Sequence, residues 1–240
     1  MADAYISLYI TVRSFIRHTL FIFLYLLSFA VPQWMLLSIY TTADHILYTL
    51  ICFSGSFVLL TLIHLVESVK YNWPWNWLAI GSCYELMTLG VGAFVMNSKP
   101  NTVMMAVAMA LLIFGLVLVL CFFIISGYNY PNPYKLASLA ALGLILVICA
   151  MILGTYRGRH WMDVALLLFM LSVLLLMISY VLISFKNLDV LIKPDTLLLG
   201  FVLYINYVLV LVASFICIQR CDVDFNFDAT NVVQKASPYG

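Results

Sequence analysis

Seven predominantly apolar runs, each about 20 residues long, follow one another along this chain, and no other feature narrows its fold so far. They extend from Thr19 to Tyr40, Ile46 to Val66, Trp77 to Met96, Thr102 to Ile125, Leu136 to Leu153, Val164 to Phe185, and Leu197 to Ile218. At a rise of 1.5 Å per residue, each is long enough to cross the roughly 30 Å hydrocarbon core of a bilayer as a helix. Lipid offers the backbone no hydrogen-bonding partner, so a spanning segment is either a helix or a strand of a closed barrel. Barrel strands alternate polar and apolar residues, and these runs do not. The expected fold class is therefore an all-α membrane protein, a bundle of seven transmembrane helices.

Composition agrees. Of 240 residues, 65% are apolar or aromatic and 9% are charged, against about 25% charged in a soluble globular chain. The connections are short and hold the helix breakers, as in Trp73-Pro74-Trp75, Lys99-Pro100-Asn101, Tyr130-Pro131-Asn132-Pro133 and Lys193-Pro194-Asp195. This divides the chain into an N-terminal segment, 1–18, a helical membrane domain, 19–218, and an acidic C-terminal tail, 219–240. The first run is too long for a secretory signal and lacks its small-residue cleavage site, so it is expected to stay as a helix.

A net charge of +1 without a Lys/Arg cluster argues against nucleic acid as a partner. The lipid bilayer is the partner that composition demands. Cys52, Cys83, Cys121, Cys149 and Cys217 fall inside apolar runs, where a thiol acts as a small hydrophobe. Cys221 stands at a membrane edge and is the candidate for lipidation. No His-Glu-x-x-His, phosphate loop, Gly-x-Ser-x-Gly elbow or spaced Cys/His set occurs, so no enzyme activity, cofactor or metal centre is expected. Trp34, Trp73, Trp75, Trp77 and Trp161 crowd the ends of runs and are expected to anchor the helices at the interface.

Orientation follows the Lys/Arg asymmetry of the connecting segments. With a cytoplasmic N-terminus, Arg13, Arg17, Lys70, Lys135, Lys186 and Lys193 lie inside, and Lys99, Arg157, Arg159, Arg220 and Lys235 outside. The pair Arg13 and Arg17 beside the first run favours this arrangement, and Arg157 with Arg159 opposes it. A seventh run that re-enters would return Asp222, Asp224 and Asp228 to the cytoplasm.

An ionisable group at membrane depth costs about 2.5–3.5 kcal/mol on the insertion scale, so each one raises a question of function. Glu85, midway along the third run, is the acid expected deep in lipid, either bonded to a neighbouring helix or lining an ion path. His64 closes the second run one turn before Glu67 and is expected to sit at the interface. Asn206 in the seventh run and Tyr180 in the sixth are expected as helix-packing contacts.

Three patterns resemble the transmembrane Bax inhibitor motif family and its Lifeguard branch. Val12-Arg13-Ser14-Phe15-Ile16-Arg17-His18 is similar to the branch's Val-Arg-x-x-Phe-Ile-Arg-Lys approach to the first span, with one residue fewer. Pro74-Trp75-Asn76-Trp77, followed by Glu85 and Gly90, is similar to the family's Pro-x-Asn start and Glu-x4-Gly helix. Asp195-Thr196-Leu197 leading to Leu203-Tyr204-Ile205-Asn206 is similar to the last helix, with its acidic start and Leu-Tyr-Leu-Asp core. With its seven runs the chain also looks like the multi-copy seven-span membrane proteins of cytomegaloviruses.

The resemblance implies a bundle of Bax-inhibitor type with the last helix surrounded by the other six. It implies residence in endomembranes or the plasma membrane, a leak with calcium as the permeant ion, and association with other multi-pass or apoptosis-regulating membrane proteins. It further implies a gate made of two aspartates on the last two long helices, which share a proton when closed and repel when both ionise. Here Val181, after Tyr180, and Asn206 stand at those positions, so the gate is lost. Glu85 then becomes the candidate to face the remaining pathway, and Asp189 and Asp195 are the acids able to attract a cation at its mouth. Two functions follow: modulation of calcium homeostasis or cell death, or a non-conducting viral scaffold acting in immune evasion or in the trafficking of host membrane proteins. A seven-helix receptor lacks its Asp-Arg-Tyr and Asn-Pro-x-x-Tyr elements here, and a secondary transporter lacks its internal repeat.

Overall fold

The computed structural model describes the backbone of residues 2–66, 74–127, 131–187 and 195–236, and within these the side chains from 14 to 221 except at 64, 157, 159 and 195. Seven helices occupy these residues: α1 (Ala2–Ser38), α2 (His45–Leu65), α3 (Trp75–Phe94), α4 (Pro100–Ser126), α5 (Pro133–Arg157), α6 (Arg159–Lys186) and α7 (Asp195–Ala236). Each contains a window long and apolar enough to cross a membrane, from Ser14–Ser38 in α1 to Thr196–Cys221 in α7. The protein is an all-α integral membrane protein, and every apolar run of the sequence lies within or overlaps one of these helices.

Local chemistry sets several helix ends. Pro100 and Pro133 open α4 and α5 at a position where the missing N–H costs nothing. Before Pro133, the Asn132 side chain accepts from the Tyr134 N–H at 3.0 Å and caps the helix. Between α5 and α6 the turn reduces to Gly158, whose φ of +97° is open to a residue without Cβ. At the end of α3, Asn97 takes a left-handed conformation, φ 61°, and its N–H donates to the Tyr40 carbonyl at 3.0 Å, tying α3 to the end of α1.

Once helices are in lipid, the hydrophobic effect no longer drives one against another; close packing and interhelical hydrogen bonds do. The helix that packs on the most others takes the centre, and here that is α7. Of its membrane window 72% is buried, against 17% in α2 and in α5. It packs on α1, α3, α4 and α6, while α2 lies outside on α3 and α5 outside on α6. The expected ring of six is thus corrected to four: among the described residues, α2 and α5 do not touch α7. Its backbone is also continuous over 42 residues, about 63 Å at the helical rise. Without a turn in α7 the seventh run cannot re-enter, so its two ends lie on opposite faces of the bundle.

Candidate functional site

The centre of the bundle is filled by aromatic rings joined through hydroxyls. Tyr204 and Tyr207 are one turn apart on α7 and both fully buried. The Trp34 indole from α1 lies nearly parallel to both rings, at 6.5 Å between centroids in each case. Its Nε1 donates to the Thr88 carbonyl on α3 at 3.0 Å. The Thr88 hydroxyl donates to the Tyr84 carbonyl at 2.8 Å and lies 2.7 Å from the Tyr204 hydroxyl. A hydroxyl has one proton, so Tyr204 is the donor to Thr88. Tyr84 reaches the Leu26 carbonyl on α1 at 2.9 Å, and Tyr207 the Val107 carbonyl on α4 at 3.2 Å. Phe23 and Phe114 stack at 4.7 Å beside Tyr207. Four helices, α1, α3, α4 and α7, are thereby cross-linked at the bundle centre.

Asn206, between Tyr204 and Tyr207 in the sequence of α7, is 3% exposed. Its Nδ2 donates to the Val202 carbonyl at 2.9 Å on its own helix, and its Oδ1 has no partner among the described residues. The Ser214 hydroxyl, two turns further along α7, is likewise buried without one. Tyr180 donates to the Leu199 carbonyl at 3.3 Å, two turns before Asn206, and Val181 packs on the core from α6. Among the described residues Asn206 makes its hydrogen bond within α7 and none to Val181 or elsewhere on α6.

Glu85 requires a correction. The expected pathway acid is exposed on the outer face of α3, in a stripe with Leu78, Ser82 and Leu89. The cause is the 100° turn between neighbours: Tyr84 and Thr88 take the inward face, which rotates Glu85 away from it. Trp34 requires another, since it is fully buried in the core and anchors no interface. Trp75 and Trp77, at the start of α3, are both more than half exposed. Cys221 is exposed at the end of the α7 membrane window, as a lipidation candidate must be, and all six thiols are unpaired. Asp195 opens α7 but its side chain, like that of His64, lies outside the described residues, as does all of Asp189.

At one membrane edge Arg220 of α7 donates to Asp163 of α6 at 2.6 Å. Near that end lies a cleft of about 490 Å³, lined by His45, Thr49, Asn97 and Gln219 among others. Among the described residues no three His, Cys, Asp or Glu side chains converge as metal ligands would. Thr88, Tyr84, Tyr207 and the inward role of Trp34 were not among the residues expected from the sequence. The spacing of Tyr84 and Thr88 by four, and of Tyr204 and Tyr207 by three, is the signal that puts each pair on one helix face. No protein-family model, curated protein or solved structure matches the chain.

Proposed function

We propose that this protein works as a non-conducting membrane scaffold, binding other membrane proteins sideways through its outer helices and altering their trafficking or their part in death signalling. The observation that carries this reading is the ring of Trp34, Tyr204 and Tyr207, which occupies the bundle centre with its hydroxyls committed to protein partners. A permeation path needs polar groups free to replace the water around an ion. The resemblance to seven-span cytomegalovirus proteins supports host membrane proteins as partners and immune evasion as the outcome, in endomembranes or at the plasma membrane. Reconstitution in vesicles holding a calcium dye tests the point: no flux above protein-free vesicles is expected at pH 6 or pH 8, and flux at either value overturns it.

A second reading, a calcium leak of Bax-inhibitor type, rests on the unpartnered Asn206 Oδ1 on the central helix. It requires that Asn206→Asp restore pH-dependent calcium flux in the same vesicles. An Asn206→Asp protein that folds and stays impermeable removes it.

A further inference from the structure

Among the described residues Glu85 is the ionisable side chain whose place conflicts most with its surroundings. It is the eleventh residue of the 20-residue span Trp75–Phe94, midway along it. It is exposed, and neither a hydrogen bond nor an ion pair holds its carboxyl among the described residues. Its neighbours along the outer stripe are Leu78 and Leu89, 58% and 43% exposed, a face built for lipid. One turn before it lie Gly81 and Ser82; a Cβ placed on Gly81 would meet nothing within 4 Å. Small residues at that point leave a notch where another helix backbone can approach closely.

We infer that the α3 stripe around Glu85 is a docking site for a transmembrane helix of another protein that carries a Lys or Arg at mid-membrane depth. This rests on the scaffold reading and names the chemistry of the partner. A carboxyl in hydrocarbon is costly unless a cation or donor meets it, and intramembrane acids characteristically pair with such groups. A second copy of this chain does not supply the cation, because its described basic groups, Arg17, Lys99, Lys135, Lys186 and Arg220, lie near the ends of the apolar windows or between them, away from mid-span.

The test uses the full chain, fluorescently labelled, in phosphatidylcholine vesicles with a synthetic spanning polyleucine helix that carries one central Lys and an acceptor dye. Energy transfer is compared with that to the same helix with Leu at its centre. The Lys helix is expected to bind about five- to thirtyfold more tightly, with Glu85→Gln removing the difference and Ser82→Leu weakening binding while the charge remains. Because Glu85 is exposed, Glu85→Gln leaves the core intact. Equal binding of the two helices, a preference that survives Glu85→Gln, or pairing of two copies through Glu85 that excludes the Lys helix would each overturn the assignment. Calcium flux in these vesicles would instead overturn the scaffold reading, so the two failures are separable.

Discussion

The hydroxyl of Tyr204 donates to that of Thr88 across 2.7 Å at the centre of the membrane bundle, and the Thr88 hydroxyl donates in turn to the Tyr84 carbonyl. The two residues are therefore not equivalent. Tyr204→Phe removes a donor and leaves Thr88 with its other bond, a loss of about 0.6 kcal/mol, the usual size of an interhelical hydrogen bond. Thr88→Val strands the buried Tyr204 hydroxyl and is expected to cost about 1–3 kcal/mol. Unfolding of the two variants in mixed micelles measures both, and the double variant is expected to lose less than their sum.

Asn206→Leu is expected to leave stability unchanged or raise it, since it removes a buried acceptor without a partner. Asn206→Asp puts a carboxyl in the same dry place and is expected to lower the melting temperature. Marked destabilisation by Asn206→Leu would show that Oδ1 holds an interaction the core depends on.

Two glycines make a matched pair. A Cβ at Gly200 on α7 would come within 2.7 Å of Ile22 Cγ2 and 3.1 Å of the Thr19 carbonyl on α1, so Gly200→Ala is expected to destabilise by about 1–3 kcal/mol through overpacking. Gly115 on α4 has nothing within 4 Å of that position, and Gly115→Ala is expected to stabilise by up to about 1 kcal/mol through helix propensity. Thermal unfolding of both variants in one detergent decides it.

The Arg220–Asp163 pair is partly exposed, at 29% and 53% of the two side chains. Asp163→Asn is expected to cost under about 1 kcal/mol. An unfolding midpoint that drops far beyond this would mean that the pair holds α6 to α7 more firmly than an edge ion pair does.

Because α7 is continuous, tags placed at residues 5 and 230 are expected on opposite sides of the membrane. Protease protection in sealed vesicles reads this directly, and cleavage of both tags from one side would restore a re-entrant seventh segment.

The seven spans were legible because insertion into lipid depends on length and hydropathy, which a linear sequence displays. The side each helix turns inward was not. In a soluble helix the polar face marks the outside, but in lipid both faces are apolar, so Leu78 facing out and Val91 facing in look alike. This is why Glu85 was expected inside and why Trp34, near a helix end, read as an interfacial anchor. The polar spacing in Tyr84-x-x-x-Thr88 carried the missing information, since a hydroxyl in lipid has to find a partner. The acid at mid-span was legible as costly, but the stripe it belongs to emerges only when the inward face of α3 is known.

The position of α7 has a consequence for biogenesis. The helix that fills the centre leaves the ribosome after the other six, so α1, α3, α4 and α6 enter the bilayer before the helix they all pack on. The outer hairpins, α2 with α3 and α5 with α6, can close as soon as they insert, while Trp34 and Thr88 wait for Tyr204. Until α7 arrives, α1 and α4 have only their contacts with α3, α6 and each other, and the Thr88 hydroxyl lacks the Tyr204 partner it meets in the finished bundle, the state that quality control in the membrane would meet.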